Sequence, residues 1–205
     1  MENLKKNHWE KVFTTKEETE VSWYQQNPKT SINFFIDNNI PKDAKIIDIG
    51  GGDSYLIDSL LEMGYENLFL LDISENAIER VKNRLGANKE KVTFIVSDVL
   101  DFLPKTIFDV WHDRASFHFL TSKKEIFTYN QLVSDSIKSD GFLFLGTFSE
   151  NGPIKCSGLE ITQYSEVKLK SIFGTNFEKI NCFTENHQTP FNTSQNFIFC
   201  TFKKQ

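Results

Sequence analysis

Five apolar runs of strand length, at residues 45–49, 68–72, 92–96, 108–112 and 142–148, alternate along this chain with amphipathic stretches of helix length. Such runs suit strands buried on both faces, and their alternation with helical patterns is the order of a parallel sheet covered on both sides. Residues 55–63 have helical character, and Ser74 caps a second helix whose Ile78, Val81 and Leu85 share one face, with Gly86 placed to end it. Stretches 123–137 and 165–173 give two more helices, the latter stopped by Gly174. Two further aromatic runs, 177–183 and 197–202, are joined by a polar segment containing Pro190 and no helical pattern, so they should pair antiparallel. The expectation is an α/β fold: a Rossmann-like, seven-stranded, mostly parallel sheet with helices on both faces and an antiparallel last strand. Five of the strands should alternate with helices. Residues 8–39 read as helices outside this repeat, and 149–163, with Gly152, Pro153 and Gly158, is the longest irregular stretch.

A length of 205 residues fits one domain, and 20 Phe, 5 Tyr and 3 Trp supply bulk for a sizeable core. The net charge is −5 and only Arg80, Arg84 and Arg114 carry guanidinium groups, which argues against a nucleic-acid ligand. No run approaches the ~20 apolar residues of a bilayer span and the first residues lack the apolar core of a secretory signal, so a soluble, cytoplasmic protein with no membrane partner is expected. Cys156, Cys182 and Cys200 are odd in number and lack CxxC spacing. Three reduced thiols are expected, with Cys182 and Cys200 as packing residues in strands.

The first run leads directly into Asp48-Ile49-Gly50-Gly51-Gly52-Asp53-Ser54, where glycines let the backbone turn sharply and approach a ligand closely. A GxGxxG dinucleotide fingerprint is absent, because the third glycine is missing. Asp72 ends the second run twenty residues after Gly52, where a carboxylate can accept both hydroxyls of a ribose, and Asp98 ends the third, where it can accept from an adenine amino group. Together they describe an adenosine site without a phosphate cradle.

With Leu71-Asp72-Ile73-Ser74, Ser97-Asp98-Val99 and Phe108-Asp109-Val110, the glycine loop resembles the four ordered motifs of class I S-adenosylmethionine-dependent methyltransferases across about residues 40–150. Ser54 stands where the family's third glycine is usual. The stretch Trp111-His112-Asp113-Arg114-Ala115-Ser116-Phe117-His118-Phe119-Leu120 further resembles a bacterial small-methyltransferase subgroup that also carries His8-Trp9, Val21-Ser22-Trp23-Tyr24-Gln25, Lys155-Cys156-Ser157-Gly158-Leu159 and the segment 187–197. The resemblance implies S-adenosylmethionine as cofactor and S-adenosylhomocysteine as product. It also implies an organisation of residues 1–40 as a helical cap, 41–148 as the cofactor-binding core and 149–205 as a substrate-side segment with a terminal hairpin.

On that resemblance, Gly50, Gly51, Gly52 and Ser54 approach the methionine and ribose, Asp72 with Ile73 holds the ribose, and Ser97, Asp98 and Val99 address the adenine. Asp48 and His112 join the cofactor-binding set, Trp23 and Tyr24 are candidates to cover the sulfonium as an aromatic lid, and Trp9 with Trp23 either reaches over the cofactor or staples the amino-terminal helices, roles that can coexist. Asp113 and Arg114 are expected near the methionine ammonium and carboxylate or the incoming nucleophile. His118, four residues beyond Arg114, is a candidate base or acceptor-orienting group. The bland readings are mutual neutralisation of Asp113 and Arg114, a core His118, and a buried structural thiol at Cys156. A metal site is not expected. The implied function is methyl transfer to a small-molecule thiol, amine or hydroxyl by a monomer or homodimer. The rivals are a protein-lysine methyltransferase and a non-catalytic S-adenosylmethionine-binding module.

Overall fold

The computed structural model describes residues 2–205. Helices α1 (Glu2–Thr15) and α2 (Lys29–Asp37) precede the repeat. There follow β1 (Lys45–Ile49), α3 (Leu56–Glu62), β2 (Asn67–Asp72), α4 (Glu75–Leu85), β3 (Val92–Val96), β4 (Phe108–Arg114), α5 (Lys123–Ser136) and β5 (Ile137–Phe148). A small hairpin, β6 (Lys155–Cys156) with β7 (Leu159–Glu160), then leads to α6 (Glu166–Phe173), β8 (Phe177–Gln188) and β9 (Ser194–Lys204).

Seven strands form one sheet in the order β3-β2-β1-β4-β5-β9-β8. The first five are parallel, and β9 runs antiparallel between β5 and β8. Alternate side chains of the central strands enter two cores, which is why these segments read as unbroken apolar runs. On one face Ile46, Leu68, Leu70, Val110 and Phe144 pack with Phe34 and Phe35 of α2, Leu60 of α3 and Val81 of α4. On the other, Ile47, Trp111, Leu143 and Leu145 pack with Tyr129 and Val133 of α5 and with Leu169 and Phe173 of α6.

Three expectations need correction. The link from β3 to β4 holds one 3-10 turn, Val99–Asp101, instead of a helix: Val99, Leu100 and Phe102 pack on the core within that short piece, Pro104 follows, and Leu103 and Ile107 are exposed. The stretch 149–163 contains the β6–β7 hairpin, turned by Ser157 and Gly158 with φ of 50° and 80°, the two-positive-φ turn that suits a two-residue hairpin loop. Cys182 and Cys200, expected as free thiols, form a disulfide: the β8–β9 register sets them directly opposite with Cα atoms 4.2 Å apart, a juxtaposition that sequence spacing does not display. Cys156 remains a free, buried thiol.

Helix α1 is fastened to the sheet through the start of α4. Ser74 Oγ accepts the Ala77 N–H as the α4 cap and donates to the Glu10 carboxylate at 2.8 Å. Glu10 also accepts the Glu75 N–H (2.8 Å), the Asn76 N–H (3.2 Å) and Asn76 Nδ2 (2.7 Å). A carboxylate at a helix N-terminus satisfies orphan donors and opposes the positive end of the dipole. Glu10→Ala should therefore lower unfolding stability by about 1–2 kcal/mol, half-exposure discounted, and increase amide exchange in α1 before the sheet. Denaturant titration with hydrogen exchange checks this, and uniform exchange across both elements would contradict it.

Candidate active site

Strand order reverses between β1 and β4, and their carboxyl ends open the crevice that α/β sheets use for ligands. The loop leaving β1 takes left-handed backbone at Gly50 (φ 59°) and Gly52 (φ 55°), conformations that favour glycine. Asp72, at the end of β2, holds this loop: Oδ2 accepts the Gly52 N–H and Oδ1 the Ser74 N–H, each at 2.8 Å. Burial pushes the Asp72 carboxyl up to about 7, against the pull of those two N–H donors, with the nearby Asp53 and Asp48 charges adding to the rise.

A cleft of about 820 Å³, open to solvent, runs past these strand ends. One wall is Leu71, Asp72, Ile73, Ser97, Asp98 and Val99. Lys5, Trp9 and Phe13, one turn apart along α1, face it with Trp23 and Phe119. Trp9 meets Trp23 and Phe119 edge-on at centroid distances of 5.7 and 5.1 Å, so the roof is a packed aromatic cluster. A second cleft of about 480 Å³ is lined by Asp48, Gly51, Ser54, Tyr24, Ser31 and His112 among others. The two meet at Gly50, Trp23 and Arg114. In the second, His112 Nδ1 donates to Asp48 Oδ1 at 2.7 Å and His112 Nε2 lies 2.8 Å from the Ser31 hydroxyl, while Asp48 Oδ2 is buried without a partner.

These residues fit an adenosine carrying an amino-acid tail. Asp72 and Asp98 supply acceptors at neighbouring strand ends, Leu71, Ile73 and Val99 offer apolar surface to a base, and the orphaned Asp48 Oδ2 is an acceptor suited to an ammonium. Asp98 Oδ1 also accepts the Leu100 N–H at 2.9 Å, which fixes its rotamer.

Of the three expected catalytic residues, only Arg114 borders the clefts. Asp113 is corrected: alternation along β4 turns it to the opposite face from His112 and Arg114, where it accepts Tyr129 Oη–H (2.6 Å) and the Ser116 and Phe117 N–H groups (3.1 Å each). Burial pushes its carboxyl up to about 6, against these donors. His118 is corrected likewise. Residues Phe117–Phe119 form a 3-10 turn, so the helical spacing from Arg114 does not apply, and the fully buried ring stacks on Phe148 (4.5 Å, 10°) with neither nitrogen partnered. Burial, and then the Arg114 charge, push His118 down to about 3. Cys156 lines the first cleft as a thiol pushed up to about 11, chiefly by burial. Phe13, Phe119 and Ser31 were not singled out in the sequence; the i, i+4 spacing of Trp9 and Phe13 is a signal that reveals the first, whereas Phe119 and Ser31 depend on how distant segments pack.

The fold and this paired-acid crevice define a class I S-adenosylmethionine-dependent methyltransferase domain, with S-adenosylmethionine as the cofactor that such a domain takes. A family model described as "Methyltransferase domain" matches residues 40–193, and the chain belongs to that family. Among curated proteins it is 28% identical over 127 residues to the eEF1A lysine and N-terminal methyltransferase of Mus musculus, covering 61% of this chain and 18% of that protein. It is 26% identical over 133 residues to malonyl-[acyl-carrier protein] O-methyltransferase 2 of Ilyobacter polytropus, covering 64% and 49%. The chain thus spans less than half the length of either relative. The fold matches N-methyltransferase NodS from Bradyrhizobium japonicum in complex with S-adenosylhomocysteine, with a TM-score of 0.76, 13% identity and coverage of 96% and 98%. No described helix is long and apolar enough to cross a membrane.

Because His118 must stay neutral when folded but has an ordinary pKa when unfolded, its contribution makes the protein lose stability as pH falls below about 6.5. His118→Phe should preserve the stack on Phe148 and remove this penalty. Its stability gain over wild type should grow from pH 8 to pH 5 by about 1–2 kcal/mol, read from thermal unfolding at each pH. A gain independent of pH would contradict the neutral, buried assignment.

Proposed function

We propose that the protein transfers the methyl group of S-adenosylmethionine to a small-molecule nucleophile. The carrying observation is the aromatic roof of Trp9, Phe13, Trp23 and Phe119 over a cleft that joins the paired-acid wall to Arg114. When bound, S-adenosylmethionine supplies an electrophilic methyl on a sulfonium that departs as a neutral thioether, so the protein's tasks are to align and to exclude water. Asp72 accepts the ribose hydroxyls, Ser97, Asp98 and Val99 hold the adenine, and the glycine loop with Ser54 passes along the tail. Asp48, oriented by His112, takes the ammonium through its free Oδ2. Trp9 and Trp23 cover the reacting end, and Tyr24 closes the tail cleft. In this reading, residues 1–40 are the cap, 41–148 the cofactor core and 149–205 the substrate side, and the Trp-His-Asp-Arg-Ala stretch marks the chain as one of the bacterial small methyltransferases.

The similarity to the mouse eEF1A lysine and N-terminal methyltransferase favours a second reading, a protein acceptor. Incubation with S-adenosylmethionine and either small thiols, amines and hydroxyl compounds or a denatured protein mixture separates the two. Release of S-adenosylhomocysteine with the small molecules alone supports the first; methyl label in protein alone sinks it.

Asp72→Ala should weaken S-adenosylhomocysteine binding by about 1–3 kcal/mol in calorimetry, and unchanged affinity would overturn the ribose assignment. Wild-type affinity should also depend on pH. Ionised Asp72 is the form that accepts both hydroxyls, so binding releases its proton, and affinity should fall as pH drops from 8 to 6, approaching about tenfold per unit below pH 7. A flat profile would contradict it.

A further inference from the structure

The chain has three arginines, and two of them are paired. Arg80 Nη1 lies 3.0 Å from Asp53 Oδ2. Arg84 grips Asp58 side-on, with Nε on Oδ1 at 2.9 Å and Nη2 on Oδ2 at 2.8 Å. Arg114 differs. Its Nη1 donates to the Trp23 carbonyl at 3.1 Å and its guanidinium stands 5.4 Å from the Phe197 ring centroid, but Nε and Nη2 are shielded from solvent and have no partner. Among the described residues it makes no ion pair. Of the acidic groups whose charges reach it, Glu185 is committed to the Thr30 hydroxyl, and Asp48 holds His112 through Oδ1 while its Oδ2 stays without a partner; neither makes an ion pair with the guanidinium.

A guanidinium edge shut away from water without a hydrogen-bond partner is costly to the folded state, and such a cost is offset when an anion arrives. The unpartnered atoms, Nε and Nη2, are the pair Arg84 presents to Asp58, a fork matched to the two oxygens of a carboxylate. Burial lowers the Arg114 pKa only to about 10, so the group is cationic at neutral pH. In the first cleft Ala115, Phe119, Leu120 and Cys156 offer apolar surface and a protonated thiol, with Ser116 between them, whereas the second cleft brings Asp48, His112, Gln25 and Ser31. The other cation on this cleft, Lys5, is paired with Glu125 at 2.6 Å. One free cation, with the Asp48 carboxylate at the same junction, suits a monoanion better than a phosphate dianion.

Resting on the methyltransferase reading above, we propose that the methyl acceptor is a carboxylate-bearing small molecule with an apolar body, anchored by the Nε and Nη2 edge of Arg114 where the two clefts meet. Arg114 then sets which acceptors enter, and the aromatic roof covers their apolar part.

The test uses wild-type protein and the variants Arg114→Met and Arg114→Lys, each saturated with S-adenosylhomocysteine and titrated calorimetrically with matched probes. These are benzoate against benzamide, and 3-phenylpropionate against 3-phenylpropionamide. Wild type should bind each acid about tenfold or more tighter than its amide. Arg114→Met should lose that preference while keeping its S-adenosylhomocysteine affinity within about threefold, and Arg114→Lys, which keeps charge but lacks the fork, should retain only part of it. Removal of an unpaired buried charge should leave Arg114→Met folded with an unfolding temperature at or above wild type; should it not fold, the drop in preference with Arg114→Lys decides. Equal binding of acid and amide by wild type, or no binding of either, overturns the proposal. A loss of about tenfold or more in S-adenosylhomocysteine affinity with Arg114→Met also overturns it, by putting the guanidinium on the cofactor's own carboxylate. Failure of wild type to bind S-adenosylhomocysteine sinks the methyltransferase reading itself, an outcome distinct from cofactor binding without acid preference.

Discussion

The two hydrogen bonds accepted by Asp72 tie together the three elements on which the crevice depends. One oxygen fixes the Gly52 amide, and with it the left-handed path of the loop leaving β1; the other fixes the Ser74 amide, and with it the start of α4. The carboxylate is shut away from water in a region that also contains Asp48 and Asp53, so its charge is unfavourable without those donors. Both bonds use donors that no regular backbone ladder would satisfy, and each oxygen keeps a lone pair directed elsewhere. The same atom pair can therefore build the loop and face a ligand.

Around that knot, charge is distributed unevenly. Arg80 and Arg84 are consumed by Asp53, Asp58 and the carbonyls of Asp53 and Ser54, which stiffen the far side of the glycine loop. Glu10 neutralises the amino end of α4 and anchors the helix that brings Trp9 and Phe13 over the crevice. Among the described residues that line the junction, Arg114 and Asp48 retain buried polar atoms without partners, one cationic and one acidic. A folded chain tolerates such atoms when burial elsewhere offsets their cost, and sites that recruit charged ligands are where that tolerance has a use.

Much of the site was legible because its signals are local. Strand ends at Asp72 and Asp98, the glycine run and the Ser74 cap follow from turn chemistry and periodicity read over a few residues. Period-two alternation along β4 already separates Asp113 from Arg114, but it does not say which side carries the crevice. The decision came from Tyr129, sixteen residues away on α5, whose hydroxyl meets Asp113 on the opposite face. His118 falls in the core for a related reason: a spacing of four has helical meaning only inside a helix, and here the chain makes one tight turn.

From the sequence alone came the alternating strand–helix architecture, the antiparallel pair at its end, and the acidic and glycine positions of the crevice, since these depend on short-range backbone preference and on which residues tolerate burial. Tertiary structure alone decided that Cys182 meets Cys200, that α1 roofs the cleft, that β3 reaches β4 without a helix, and that Arg114 is left without an anion. Each of these turns on register or on which donor arrives from a distant segment, and contacts of that kind are set by the packing of whole elements against one another.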